Sequence, residues 1–337
     1  MATTSAQKRF KCQTMSLSNY RYFDKYLLFK DSMAHDYLSF IKKGIIVFDN
    51  DGVPLGQRPG ISKGSLSYVY NPVGVANHGL FLYNDLIQNT DHLALGIDKK
   101  VAFDSQVGWL VRNRTDRNDM GYWFHNYPAP EHGCKPPWRS ALAQGLALSL
   151  LLRACHLNSD EEICRVAERV AVSMKTPTCD GGFLYVDEKG DYWYQEYMGN
   201  CGYVLNGFIF AMWRVYDYYL YSNDEEYKVI FDRCVNTLRK NLGRYDWKVG
   251  LAKWTIYDLK DKNPIELGYQ KLHVSLLKDL YTITREGFLL DYANRWESYI
   301  KQPNMLLVSL ARHIRAQVLA LLKVLGADER SKVSEKE

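Results

Sequence analysis

The chain carries 25 tyrosines against 13 phenylalanines and 8 tryptophans, so phenols outnumber the other aromatic rings together. A phenol can donate a hydrogen bond, release a proton near pH 10, lay its face on a sugar, or simply pack in a half-buried sheet. Some of these rings stand beside charged or polar groups: Glu196-Tyr197, Tyr257-Asp258-Leu259-Lys260, and Tyr269 with His273 four residues on. Proton transfer needs such neighbours, one group to accept and one to donate, each within reach of the reacting atom. Metal chemistry has less support. His125, His132 and Cys134 are too irregularly spaced for a metal site, and neither a metal nor a cofactor is expected. The seven cysteines, at 12, 134, 155, 164, 179, 201 and 234, form no CxxC pair and are odd in number. That pattern predicts reduced thiols in a reducing compartment rather than a disulfide framework or a structural zinc.

The elements that must position these groups follow from pattern. With 337 residues, 47% hydrophobic and 24% charged, the chain is globular in composition, which excludes disorder and collagen-like repetition. A net charge of +5 would help hold a polyanion, yet is far from the basic excess of a dedicated nucleic-acid binder. The longest uncharged stretches, 140–152 and 198–213, are shorter than a membrane span and read as buried helices. The first residues, MATTSAQKRFKCQ, are polar and basic without an apolar core, so a cytoplasmic location is expected, with neither nucleic acid nor membrane as partner.

A repeat emerges when polar and glycine positions are aligned. Gly79, Gly145 and Gly207 each follow a polar side chain and open an apolar helical run, and His273 marks a fourth register at similar spacing. Two runs end in cap-like clusters, Asn158-Ser159-Asp160-Glu161-Glu162 and Ser222-Asn223-Asp224-Glu225-Glu226, each introducing a second helix. A period of roughly 60 residues fits helical hairpins repeated. The predicted fold is mainly α, an incomplete α/α toroid with inserted β-hairpins, a linear helical solenoid being the other arrangement. The predicted domains are an N-terminal extension with a short β and irregular segment (1–64), the toroid (65–325) and a charged tail (326–337). Within the extension, Ile45–Phe48 and Val53–Leu55 flank the turn 49–52, and 56–64 reads as a loop. Aromatic hairpins are predicted at 181–197 and 246–258, both just before an inner helix, where they would wall a groove.

Gln195-Glu196-Tyr197 followed by Leu205-Asn206-Gly207-Phe208, with Trp138-x-Ser140-Ala141-x-Ala143-Gln144-Gly145, Thr255-Ile256-Tyr257-Asp258-Leu259, and Tyr269 with His273, resembles the catalytic region of glucuronyl C5-epimerases, the heparosan and heparan sulfate epimerases. The resemblance covers roughly residues 65–310 in order. It implies an α/α-toroid enzyme that converts D-glucuronate to L-iduronate within a polysaccharide, with heparosan or N-sulfated heparosan as partner, and a homodimer. The family's Glu-Tyr pair matches Glu196-Tyr197, its Thr-Ile-Tyr tyrosine matches Tyr257, its later tyrosine matches Tyr269, and its asparagine before Gly-Phe matches Asn206. Three features depart from the family: Lys260 stands where it has arginine, losing bidentate carboxylate geometry; Arg139 stands where it has tyrosine; and the sixty residues ahead of the helical region are fewer than the β-barrel region of vertebrate members needs.

Inverting C5 of a uronate means removing a weakly acidic proton alpha to a carboxylate and returning one to the opposite face, while something neutralises the enolate. On the resemblance, Tyr197 and Tyr269 are the two-face pair and Glu196 assists as base or orients its neighbour. Tyr257, Asn206 and Lys260 then bind the carboxylate or its hydrogen-bond partners. Trp138, Arg139, Gln144 and His273, with Tyr70, Asn77 and His78 at the first repeat's corresponding point, are candidate groove residues. Each also has a structural role open to it: Tyr197 as a strand tyrosine, Asn206 and Gln144 as buried hydrogen-bonders, His273 as a core histidine. A regular strand would send Glu196 and Tyr197 to opposite faces, so the strand must end or bulge there. Two other activities fit the same residues: a lyase, in which the C5 carbanion expels the C4 substituent, and a non-catalytic polysaccharide-binding protein.

Overall fold

A computed structural model of the protein describes residues 40–59, 65–90, 96, 98–199, 202–301, 304–310, 312–314 and 317. The expected charged tail, Cys12 and Cys201 lie outside these residues. Among the described residues, eight α-helices of twelve or more residues come as four consecutive pairs. They are α1 (Pro72–Gln88) with α2 (Lys99–Asn113), α3 (Ala141–Asn158) with α4 (Glu161–Lys175), α5 (Leu205–Ser222) with α6 (Glu225–Asn241), and α7 (Leu267–Thr284) with α8 (Gly287–Ser298). The fold is mainly α, of the helical-hairpin α/α class with β-hairpins inserted, as the repeat predicts. None of these helices is long and apolar enough to cross a membrane.

Local chemistry sets the helix ends. Asn71 caps α1 by accepting from the Val73 amide at 3.0 Å, and Pro72 supplies a preset φ at the first helical position. Asp98 Oδ1 accepts from the amides of Lys100 and Val101, which opens α2. The two clusters read as caps behave as such: Asp160 accepts from the Glu162 and Ile163 amides, and Asp224 from the Glu226 amide. Sequence pattern exposes second helices in two repeats only. The structure has one in every repeat, because Asp98 caps α2 without the Ser-Asn-Asp cluster that flags the others.

Two cysteines correct the expectation of reduced thiols. Cys155, near the end of α3, is disulfide-bonded to Cys164, in the first turn of α4, with the Cα atoms 5.0 Å apart. The two-residue connection Ser159-Asp160 folds the chain back sharply, with Ser159 in the left-handed region at φ 50°, and a count of cysteines carries no trace of that proximity. Cys134, Cys179 and Cys234 are free.

Ahead of α1 the described residues form a three-stranded antiparallel sheet, β1 (Ile46–Phe48), β2 (Pro54–Pro59) and β3 (Leu66–Tyr70), in that order, its third strand falling past residue 64. The hairpin falls where expected, with Asp49 Oδ1 accepting from the Asp51 and Val53 amides to close the turn. The predicted loop 56–64 is corrected in its first part, since Gly56 to Pro59 pair with Leu66 to Val69. Gly56 and Pro59 look like loop residues, but pairing with β3 overrides that preference. A further hairpin, β4 (Thr115–Arg117) with β5 (Met120–Tyr122), has too short a pattern to be read from sequence.

The chain divides into two compact units, one of residues 1–127, 143–174 and 214–228, the other of 128–142, 175–213 and 229–337. In the first, Arg153 and Asp217 form a fully buried ion pair at 2.8 Å, with the Ser149 hydroxyl also donating to Asp217. In the second, Trp193 packs on Tyr203 and Phe208, and the Asp246 carboxylate accepts from the Trp296 indole at 2.7 Å.

Candidate active site

Two hairpins of the second unit carry the site. In the first, β6 (Leu184–Val186) pairs with β7 (Tyr192–Tyr194) across a turn in which Asp187 Oδ1 accepts from the amides of Lys189 and Asp191. The strand stops at Tyr194, so Glu196 and Tyr197 escape the alternation that would part them. Two backbone hydrogen bonds hold this irregular segment against the chain leading into α3: the Ala141 amide donates to the Gln195 carbonyl at 3.0 Å, and the Met198 amide to the Arg139 carbonyl at 3.1 Å.

Glu196 then lies against the start of α5. A Cβ placed on Gly207 would come within 2.3 Å of Glu196 Oε2 and 2.8 Å of its Cβ, so the glycine after Asn206 is what admits this carboxylate.

The second hairpin, β8 (Asp246–Val249) with β9 (Ala252–Thr255), continues into a loop that delivers Tyr257. The Tyr257 amide donates to the Asn263 carbonyl, while its own carbonyl accepts from the Leu205 amide. Asp258 Oδ1 accepts from the Lys260 amide at 2.8 Å and the Asp261 amide at 2.6 Å, a side-chain turn that fixes where Lys260 leaves the chain. Tyr269, in the first turn of α7, keeps 43% of its surface exposed.

These elements bring the candidate residues together. The Tyr257 hydroxyl donates to Glu196 Oε1 at 3.4 Å and lies 3.5 Å from the Tyr197 hydroxyl. The Tyr269 ring meets the Tyr257 ring edge-on at 5.7 Å, and Trp138 tilts against Tyr197 at 5.5 Å. Beside them lies a small cleft lined by His132, Glu196, Tyr197, Asp258, Lys260 and Asp261.

The electrostatics separate the roles. Burial pushes the Glu196 carboxyl up to about 7, against the opposing pull of the Tyr197 and Tyr257 phenols. Its Oε2 is buried without a hydrogen-bond partner, as is Asn206 Oδ1 close by in sequence. The phenols shift the same way: burial, then the Glu196 charge, raises Tyr197, Tyr257 and Tyr269 above the usual tyrosine value. Both causes favour the protonated phenol: burial penalises the phenolate, and the Glu196 carboxylate repels it. As they stand, these phenols hold their protons, and Glu196 is the group poised to exchange one near neutrality.

The remaining candidates fall elsewhere. Arg139 donates to the Gly181 carbonyl at 2.5 Å and lies over the Phe183 ring, bracing the base of the first hairpin. His273 is fully buried one turn beyond Tyr269, with Nδ1 3.3 Å from the Thr255 hydroxyl. Tyr70, Asn77, His78 and Gln144 belong to the other compact unit. There Gln144 donates to the Gly121 carbonyl and the Ser173 hydroxyl, Tyr70 to Asp49 Oδ2, and buried His78 lies against Phe48.

His132, Asp258 and Asp261 were not among the sequence candidates. Asp258 had a signal, an aspartate opening a polar turn after a strand. His132 had only its place in the Pro-Glu-His-Gly turn.

This mainly α protein thus has, as its site, a carboxylate and three phenols beside a small cleft. Its sequence over residues 114–298 matches the family described as D-glucuronyl C5-epimerase C-terminus, and the chain belongs to that family. It is 32% identical over 218 residues to a D-glucuronyl C5-epimerase of Caenorhabditis elegans, a match that covers 59% of this chain and 35% of that protein. It is 27% identical over 222 residues to the uncharacterized protein MJ1128 of Methanocaldococcus jannaschii, covering 65% of each. The chain thus spans about a third of the length of the first relative and just under two thirds of the second. Among solved structures, an unsaturated glucuronyl hydrolase from Bacillus sp. GL1 is similar with a TM-score of 0.44 at 14% identity, over 80% of this chain and 82% of that one.

Proposed function

We propose that the protein is a uronate C5-epimerase that converts D-glucuronate to L-iduronate within a heparosan-like polysaccharide. The observation that carries this reading is geometric: the Tyr257 hydroxyl donates to the Glu196 carboxylate at 3.4 Å and lies 3.5 Å from the Tyr197 hydroxyl, with the Tyr269 ring edge-on to Tyr257. Burial favours a protonated carboxyl and protonated phenols. One group is thereby ready to accept a proton and others are ready to donate, which is the division of labour an inversion needs.

In the proposed step, Glu196 as carboxylate takes the C5 proton, and the electron pair of that C–H bond moves into the adjoining carboxyl group as an enolate. Lys260, held at the cleft by the Asp258 turn, is the cation that offsets this charge. A phenol then gives its proton to C5 from the other face. Tyr269 is the best placed for this, being the most open to solvent and separated from Glu196 by the Tyr257 ring. The phenolate so formed regains a proton from solvent, and Glu196 gives up its own. Tyr197 and Tyr257 keep the carboxyl hydrogen-bonded throughout.

The test is incubation with heparosan or N-sulfated heparosan in deuterated water. Deuterium at C5 in intact chains supports the proposal. Unsaturated uronate at new chain ends would instead make the protein a lyase, and neither product would sink both enzymatic readings.

A further inference from the structure

His132 lies closer to the reacting groups than its sequence context suggests. It ends a single 3₁₀ turn, Pro130–His132, whose base is closed by paired hydrogen bonds between Ala129 and Cys134, at 3.0 Å in each direction. The His132 amide donates to the Ala129 carbonyl, and Gly133 takes φ 69° to bring the chain back. This short, doubly tied loop presents the imidazole flat on the Tyr197 ring, with centroids 3.7 Å apart and planes 16° from parallel. The same ring tilts toward Tyr257 at 6.0 Å.

Tyr197 has need of such support. It sits past the end of β7, so no ladder fixes its side chain, and its hydroxyl is 3.5 Å from that of Tyr257, at the outer limit of a hydrogen bond. That contact and the hydrogen bond to Glu196 both act at the hydroxyl, which leaves the angle of the ring plane to be set by what packs on its face. A ring stacked on its face restricts it to a narrow range of angles, and Trp138 adds a second surface at 5.5 Å.

We propose that His132 is a positioning residue, whose ring, stacked on Tyr197, holds the phenol in register with Glu196 and Tyr257. The assignment rests on the epimerase reading for its catalytic consequence, but not for the stacking itself. The groups facing the imidazole are Glu131 from its own turn, Asp258 and Asp261 from the loop after β9, and the Tyr197 and Tyr257 rings. Burial lowers the imidazole and the three carboxylates raise it, with burial the larger. The net effect favours the neutral ring, and a phenyl ring can replace it as a stacking surface.

Two variants and two readouts decide the matter. His132→Ala is expected to lower kcat for C5 deuterium exchange about tenfold or more with KM within about twofold, while His132→Phe stays within about threefold of the parent. Independently of activity, 3-fluorotyrosine installed at position 197 is expected to give one ¹⁹F resonance displaced from free fluorotyrosine in the parent and in His132→Phe, and to move toward the free value in His132→Ala. The proposal is overturned if His132→Ala keeps its activity, if His132→Phe is as impaired as His132→Ala, or if the resonance does not move. Should the parent exchange no deuterium at all, the epimerase reading falls and the ¹⁹F shift alone decides whether His132 holds Tyr197.

Discussion

At pH 8 the Glu196 carboxylate is charged among phenols in a site from which water is largely shut out, and function and stability there pull in opposite directions. If Glu196 is the base, kcat/KM rises with pH through about 7 as the carboxyl ionises, and Glu196→Gln loses on the order of 10²–10⁴-fold in C5 exchange. Because the folded-state value is raised above the unfolded one, the folded chain binds this proton more tightly. The contribution of Glu196 to stability is therefore full below about pH 4.5 and is lost as pH rises through 7. Glu196→Gln should accordingly melt higher than the parent at pH 8, with the gain fading toward pH 4.5, as calorimetry at the two pH values can check. A variant that loses exchange without that pH-dependent gain would show that the carboxyl is not buried as described.

Among the elements, the start of α5 does more than begin a helix. Leu205 donates to the carbonyl of Tyr257, and Gly207 leaves space for the Glu196 side chain, so one helical turn holds both hairpins in place. Gly207→Ala puts a methyl group where Glu196 Cβ and Oε2 lie. The carboxylate, being the end of a side chain, can yield more readily than its Cβ, which is tied to the irregular segment beside Arg139 and Ala141. The expected outcome is a stability loss of about 1–3 kcal/mol by denaturant titration, together with a fall in C5 exchange of about 10²-fold. An alanine variant with unchanged exchange would contradict the contact. The helices themselves were legible in sequence wherever apolar runs met cap residues, as at Asp160 and Asp224. The hairpins were legible from their aromatics and turns. What sequence did not reveal was β3, which pairs with Gly56 to Pro59, and the contact between Cys155 and Cys164.

At the scale of the molecule, three buried histidines among the described residues weigh on the response to acid. Burial depresses His78 to about 4, and His125 and His273 to about 3, with Arg58 adding to the effect at His125. Groups depressed in the folded state contribute stability that is complete above the unfolded value near 6.5 and is lost as pH falls toward the folded values. Each should cost about 2 kcal/mol by pH 5, outweighing the opposite effect of Glu196. Urea midpoints measured from pH 7 to 5 are expected to fall steeply, and His273→Gln should flatten the slope. Parallel slopes for parent and variant would mean that His273 is already protonated in the folded state or reaches solvent.

The amino-acid sequence by itself determined the helical repeat, the two aromatic hairpins and the Glu-Tyr, Thr-Ile-Tyr and Asn-Gly-Phe positions, because periodicity, turn residues and short motifs are local properties. It also required the strand before Glu196 to end or bulge if Glu196 and Tyr197 were to line one groove, and tertiary structure chose the end, at Tyr194. Tertiary structure alone decided which candidates meet. It gathered Glu196, Tyr197, Tyr257 and Tyr269 while placing Gln144, Tyr70, Asn77 and His78 in the other compact unit, and it brought in His132 from a turn far upstream of Tyr197. It also set the direction of the phenol shifts, because an ionisation constant depends on burial and neighbouring charge, which exist only once distant segments have packed.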